Sequence, residues 1–449
     1  MSTKAAVARS NTLEKIAARQ DHVGIVGMGY VGLPLALLYS ENRFTVTGFD
    51  IDQKKIDTLN SGGSYMVKLS ATEVQAAQKH GFRATADYSM IAEMDAVIIC
   101  VPTPLDDHHE PDLSFITVTA EAIAPHVQPG QLIVLESTTY PGTTEEVLVP
   151  ILEKNPAGLK AARTGASASG VFHVAFSPER EDPGRTDIER RDIPKVIGGL
   201  DPIASELASA LYGSIFTRTV PVSSPAVAEM AKLLENIYRC VNIALVNELK
   251  MLCLRMNIDI WEVIEAAKTK PFGYQPFYPG PGLGGHCIPV DPFYLSWKAK
   301  EFDFRTRFIE LAGQINTEMP YQVVAAVASA LNQRKKSLNG SKVLVLGVAY
   351  KKDIDDLRES PSLTIIELLQ KQGALVNYND PYFARVGQGR KYTLNMDCTP
   401  LDNLGQYDCV LIVTDHSDYD YARIVRESKL VVDARNATKG IVADNVIHT

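Results

Sequence analysis

His22-Val23-Gly24-Ile25-Val26-Gly27-Met28-Gly29-Tyr30-Val31-Gly32 decides how this chain is read. His22–Val26 is a short apolar run that reads as a strand, and the glycines after it break the run before a helical pattern over Val31–Ser40. Thr45–Phe49 reads as a second strand and ends in Asp50. Strand, glycine turn, helix and strand open a parallel α/β unit. In that setting Gly27, Gly29 and Gly32 have the spacing that lets a backbone approach a pyrophosphate at a helix N-terminus. Gly27, Met28, Gly29, Tyr30, Val31 and Gly32 are therefore candidate cofactor contacts. Asp50 is placed to accept from ribose hydroxyls, which favours NAD, because an acid there repels the 2′-phosphate of NADP.

The alternation continues outward from this unit. Ala96–Val101 is a buried strand closed by Pro102-Thr103-Pro104, and Gln131–Glu136 is another, followed by Ser137-Thr138. Ligands bind beyond the carboxyl ends of such strands, so Pro102, Thr103, Ser137 and Thr138 join the candidate cofactor contacts. Asn155–Gly170, rich in Ala, Gly and Ser, reads as a surface loop before the strand Val171–Phe176. Ser224-Pro225 then starts the longest helical pattern, with serine as N-cap and proline in the first turn. No Pro or Gly interrupts Ala226 to Asp259, so the spacing predicts a helix of about 30 residues, ~45–50 Å long. Such a helix links two domains and offers a face to a second subunit. Past a linker around Lys335–Gly340, Lys342–Leu346, Ala374–Tyr378, Tyr407–Thr414 and Leu430–Asp433 read as strands and Pro361–Gln372 as a helix. The expectation is an α/β chain with two Rossmann-like, doubly wound domains joined by a central long helix. Its divisions are an N-terminal extension (1–21), a cofactor domain (22–220), a helical centre (221–335) and a second α/β domain (336–449).

Bulk properties exclude several classes. With 449 residues, 45% hydrophobic and 22% charged, the chain has ample material for two or three globular domains. A net charge of −8 argues against nucleic acid or an anionic membrane as partner. Residues 1–20 are polar, helical over Thr12 to Arg19, and lack the apolar core of a signal peptide; no apolar run is long enough to span a membrane. The six cysteines have neither CxxC pairs nor a metal-ligand rhythm, which fits a reducing cytoplasm without disulfides or a metal site. Cys100, Cys253 and Cys409 lie in apolar runs and read as core.

Gly282-Leu283-Gly284-Gly285-His286-Cys287-Ile288-Pro289-Val290-Asp291-Pro292 carries the chemistry. A thiol beside a nicotinamide can capture an aldehyde, so that an alcohol is taken to an acid in two hydride transfers. The other reading of Cys287 is a small hydrophobe in a tight turn. Lys232 and Asn236, one helical turn apart on the long helix, form either an oxyanion site or a solvated face. Glu179, in Ser177-Pro178-Glu179-Arg180 after a strand, is a candidate general base or acid. Asp291 either organises Lys232 or a water, or makes a structural Asx turn.

Together these segments resemble the UDP-glucose/GDP-mannose dehydrogenase family from about residue 22 to the C-terminus. The matching signatures are Gly27–Gly32, Cys100–Pro104, Glu136–Thr138, Ser177–Glu179, Lys232–Asn236, Gly282–Asp291 and Ala349–Asp353 leading to Arg358-Glu359-Ser360. The resemblance implies an NAD-dependent enzyme that oxidises C6 of a UDP-hexose to a carboxylate; with the cysteine usage and the long helix, the expectation is a cytoplasmic homodimer or higher homo-oligomer. By similarity Cys287 is the nucleophile, Lys232 and Asn236 stabilise the oxyanion, and Asp291 with Thr138 holds the lysine and a water. Glu179 serves thioester hydrolysis. The sugar nucleotide would meet Glu179, Arg180, Lys232, Asn236, Phe277, Tyr278, Gly280, Gly284, Lys351 and Arg435, and Arg358 would contact the cofactor. His286 and Val290 replace the serine and lysine usual in UDP-glucose enzymes, and Arg180 replaces an aromatic residue. This pattern is similar to the branch that oxidises UDP-N-acetylglucosamine for surface polysaccharides. UDP-N-acetylmannosamine, UDP-N-acetylgalactosamine and UDP-glucose are the rival substrates. A two-electron hydroxyacid dehydrogenase is the rival enzyme class, and a non-catalytic nucleotide-sugar sensor the rival outside enzymes.

Overall fold

The computed structural model describes residues 12–66, 69–106, 110–163, 170–182, 187–285, 290–388 and 392–449. Cys287, with His286, Ile288 and Pro289, lies outside the described residues. The chain divides into two compact units, residues 1–235 with 297–303, and residues 236–296 with 304–449.

The first unit is built on β1 (His22–Val26), β2 (Thr45–Phe49), β3 (Arg83–Thr85), β4 (Ala96–Ile99), β5 (Leu132–Leu135), β6 (Lys160–Ala161), β7 (Val171–Phe176), β8 (Lys195–Gly199) and β9 (Thr219–Val222). Their order in the sheet is β3-β2-β1-β4-β5-β7-β8-β9, with β6 paired to β7. Pairing is parallel from β3 through β7, where β8 enters antiparallel. The strand order reverses between β1 and β4, which makes their carboxyl ends the switch point of the sheet. Central strands are apolar on both faces because both faces are covered. Val23, Ile25, Ile98 and Val134 pack in one core, and Val97, Ile99, Ile133 and Val174 in the other.

The second unit has β10 (Lys342–Leu346), β11 (Leu375–Asn379), β14 (Cys409–Ile412), β15 (Val431–Asp433) and β16 (Val446–His448) in one parallel sheet, ordered β11-β10-β14-β15-β16. A separate hairpin joins β12 (Arg385–Gln388) to β13 (Thr393–Asp397). This unit switches direction between β10 and β14, as the first does between β1 and β4.

Helix ends follow local chemistry. Ser360 caps the helix Pro361–Lys371, whose first residue is proline. The long helix, Pro225–Met256, begins where expected, with Val227 N donating to Ser224 Oγ, but stops three residues before Asp259. Asn257 takes a left-handed φ of 54°, and Asp259 accepts from Trp261 N to cap the next helix, Ile260–Lys268. Three smaller expectations change. The Asn155–Gly170 segment contains strand β6, and the first sheet is mixed at β8. Of the three cysteines read as core, Cys409 is buried but Cys100 and Cys253 are partly exposed.

Candidate active site

Parallel strands deliver their carboxyl ends to one edge, and in the first unit that edge collects most of the candidate residues. Gly27 follows β1 with φ +93°, and a Cβ on it would lie 2.6 Å from the Cys100 carbonyl oxygen. A Cβ on Gly32 would lie 1.9 Å from the Gly27 carbonyl oxygen, so both glycines are fixed by the turn itself. Gly29 differs: a Cβ there would meet nothing within 4 Å. Its missing side chain leaves room for a ligand, the provision a pyrophosphate needs. Met28 is buried, while Tyr30 is exposed on the same turn. Asp50, beyond β2, accepts from Met28 N at 2.9 Å and from Asp52 N at 2.9 Å, with Lys55 Nζ 3.2 Å away. The acid therefore braces the glycine turn. Thr103 is buried at the end of the β4 segment, and Ser137 Oγ donates to the Val101 carbonyl at 2.7 Å, tying together the segments after β4 and β5. Pro102 is exposed and Thr138 half-buried at the same edge.

Behind this edge lies a buried charge cluster that sequence reading did not anticipate. Lys195 Nζ, on β8, lies 2.9 Å from Glu136 and 3.4 Å from Glu179. Tyr212 donates its hydroxyl to Glu136 at 2.6 Å. Glu179 also accepts from the backbone N–H groups of Arg180 and Glu181, at 2.7 and 2.8 Å. Burial alone would push Glu179 up, but Lys195, Arg190 and the two N–H groups hold it down at about 2. Burial does prevail at Glu136, whose carboxyl is raised despite Lys195. Lys195 itself is raised: burial works against its charge, and Glu136 and Glu179 outweigh that. Glu179 is thus a fixed carboxylate. Arg180 is anchored beside it, reaching Glu235 at 2.6 Å and donating to the Pro194 carbonyl at 2.7 Å.

The long helix supplies two further observations. Glu229, one turn before Lys232, is fully buried and accepts from Gly142 N, Thr144 N and Thr144 Oγ1 at 2.6, 2.9 and 2.6 Å. It pins the helix to the loop after β5, and the sequence segment Ala228–Asn236 carries it in plain view. Lys232 and Asn236 are each only 7% exposed, which removes the solvated-face reading.

In the second unit Asn236 Nδ2 donates to Asp291 Oδ2, and Asp291 is buried at the first residue of the helix Asp291–Ala299. The glycines before the cysteine pack on the segment after β10. A Cβ on Gly284 would lie 2.4 Å from Tyr350 Cβ, and Gly285 N donates to the Arg358 carbonyl at 2.8 Å. The Arg358 guanidinium is exposed and paired with Asp356 at 2.7 Å, and Lys351 is half-buried on the same loop. Gly280 N donates to Asn247 Oδ1 at 3.0 Å, and a Cβ on Gly280 would lie 2.7 Å from Arg435 Nη1. Arg435 Nε donates to Asp415 at 3.2 Å. The structure so brings Gly280 and Arg435 together, and Gly284 with the Tyr350–Arg358 loop. Phe277 packs edge-on to Tyr238, and Tyr278 stacks on Trp261 with its hydroxyl donating to Glu265.

Three domain models match in sequence: the NAD binding domain of the UDP-glucose/GDP-mannose dehydrogenase family over residues 21–216, its central domain over 226–318, and its UDP binding domain over 344–440. This chain belongs to that family. The dehydrogenase is 36% identical over 398 residues to the UDP-N-acetyl-D-glucosamine 6-dehydrogenase of Pseudomonas aeruginosa, covering 88% of this chain and 91% of that one. It is 37% identical over 352 residues to the UDP-N-acetyl-D-mannosamine dehydrogenase of Escherichia coli K12, covering 77% and 82%. The solved structure of the UDP-D-ManNAc dehydrogenase of Pyrococcus horikoshii superposes with a TM-score of 0.84 at 30% identity, covering 95% of this chain and 98% of that one. The chain is an NAD-dependent nucleotide-sugar dehydrogenase, and the open space at Gly29 together with the braced Asp50 fits NAD at the β1 edge. No helix among the described residues is long and apolar enough to cross a membrane.

Proposed function

We propose that this cytoplasmic enzyme oxidises C6 of UDP-N-acetylglucosamine to the carboxylate, in four electrons, for surface-polysaccharide synthesis. The observation that carries the chemistry is the buried pairing of Asn236 with Asp291, four residues after Cys287, on the helix that also carries buried Lys232. NAD, held by the Gly27–Gly32 turn and Asp50, supplies the hydride acceptor for each of the two oxidations. The Cys287 thiolate adds to the C6 aldehyde carbon, and the resulting oxyanion is met by the Lys232 ammonium and the Asn236 carboxamide. Tethering keeps the aldehyde from diffusing away between oxidations. After the second oxidation a water attacks the thioester carbon, the C–S bond breaks, and the Cys287 thiolate is released. Glu179, held ionised, enters that hydrolysis as a carboxylate that orients and polarises the water. Asp291 and Thr138 position Lys232 and the water. The sugar nucleotide meets Arg180, Gly280, Gly284, Lys351 and Arg435, with Phe277 and Tyr278 at its margin and Arg358 toward the cofactor.

His286 and Val290 beside the nucleophile support the 2-acetamido sugar. Relatives acting on N-acetylglucosamine and N-acetylmannosamine nucleotides are almost equally similar, so the ratio of kcat/KM values across the four UDP-sugars is the discriminating quantity. Cys287→Ser tests the mechanism: NADH formation is expected to fall by about three orders of magnitude or more. Turnover that survives the substitution would return the enzyme to the two-electron class.

A homodimer through the long helix completes the proposal. Tyr238, Leu245, Leu249, Leu252 and Met256 recur at helical spacing and remain 39–56% exposed, an apolar stripe that a second copy would cover.

A further inference from the structure

The second unit contains a cleft that none of the candidate catalytic residues lines. It is about 160 Å³ in volume, and it runs between the long helix, the helix Arg307–Gln333 and the end of β16. Its walls are largely apolar, with Met251, Leu254, Val323, Ala326 and Ile447 prominent among them. Lys250 lines the same cleft and is only 2% exposed, yet its ammonium has no hydrogen-bond partner. Thr449, also on the cleft, has a buried hydroxyl in the same condition.

The nearby carboxylates do not resolve this. Asp433 accepts from Arg435 N on one oxygen and from Thr438 N and Thr438 Oγ1 on the other, at 2.9, 2.8 and 2.7 Å. Among the described residues, no hydrogen-bond acceptor lies within reach of the Lys250 amine. A buried cation without a partner is costly, and proteins normally pair it or neutralise it. Burial first, and the Arg435 guanidinium second, push the Lys250 ammonium down to about 8, with Asp433 pulling the other way. His448 is a further titratable group on the cleft, 3.8 Å from Asp433, while the helix Arg307–Gln333 presents only Gln322, Ser329 and Gln333 as polar groups. The cleft therefore offers one ammonium, the Thr449 and Ser329 hydroxyls, the Gln322 and Gln333 carboxamides, the His448 imidazole and an apolar wall, and its ammonium lacks an anion within hydrogen-bond distance.

We propose that this cleft is a binding site for a small carboxylate with a short apolar body, held by the Lys250 ammonium and the Thr449 hydroxyl and separate from the nucleotide-sugar site. The carboxylate oxygens meet the two donors, and the hydrocarbon lies along Leu254, Val323 and Ala326. Only the protonated amine is a partner for the carboxylate, so affinity falls as pH rises through about 8.

Calorimetric titration of the full-length protein with butyrate at pH 7 tests this. One butyrate per chain is expected, with binding lost in Lys250→Met and weakened several-fold in the milder Thr449→Val, which keeps the charge. Raising the pH to 9.5 is expected to weaken binding at least about tenfold, because the amine is then mostly neutral. Saturating UDP should leave the titration unchanged. Failure of butyrate to bind, binding that survives Lys250→Met, inorganic phosphate binding in its place, or competition with UDP would each overturn the assignment. Should Lys250→Met not fold, Thr449→Val and the pH series carry the test.

Discussion

At the scale of single residues, the glycines of the first turn show how function and fold can be told apart. Gly27 and Gly32 are required by the turn, since a Cβ on either would collide with backbone. Gly29 is not, and Gly29→Ala is expected to leave thermal stability within about 1 kcal/mol while raising KM for NAD about tenfold or more. Melting curves and NAD titrations on one preparation check both halves. Glu179 makes the corresponding case for charge. Its carboxyl lies at about 2 in the fold against an ordinary value of 4.5, so it stabilises the protein above pH 4.5, and that stability is lost as pH falls from 4.5 toward 2. The shift corresponds to about 3 kcal/mol at most, given the partial exposure of the side chain. Glu179→Gln should therefore flatten acid unfolding within that window, and a variant that unfolds with the parent's pH dependence would refute the pairing with Lys195. Sequence showed Glu179 as a chemical group but not its partners. Lys195, Glu136 and Tyr212 lie far from it in the chain, and only the sheet order brings them together.

At the scale of elements, most strands of both sheets were legible because a parallel sheet covered on both faces makes each strand a continuous apolar run. β1, β2, β7 and β10 begin and end where the residues predict. What escaped mostly lacks that signal, although β8 is buried at every position and is obscured by its Gly198-Gly199 end. β16 and the β12–β13 hairpin are short and half-exposed, and the helix Arg307–Gln333 carries Pro320 in its interior, where sequence reading would break it. The long helix ends short of Asp259 because Asn257, a residue that readily takes the left-handed conformation, terminates it and Asp259 caps the next helix, signals weaker than the Gly or Pro that the spacing lacks. The exposed stripe on that helix gives a prediction at this scale. Leu245→Asp with Leu252→Asp should convert a particle of two chains into a single 49.2 kDa chain by light scattering, and a parent protein already monomeric would remove the dimer from the proposal.

At the scale of the whole molecule, the two sheets repeat one design. Asp50 beyond β2 accepts from Met28 N in the turn after β1, and Asp380 beyond β11 accepts from Val348 N in the turn after β10, at 2.9 and 2.7 Å. Gly27 and Gly347 share a positive φ at the start of those turns. Each unit thus presents a braced turn at its switch point, suited to a nucleotide, and the family's NAD and UDP binding domains coincide with the two. An enzyme that binds NAD and a nucleotide sugar and uses Cys287 as proposed should transfer two hydrides per sugar. The number of NADH formed per UDP-N-acetylglucosamine consumed, with excess NAD, tests this most directly. The account predicts two, with the uronic acid as product; one, with an aldehyde released, would contradict it.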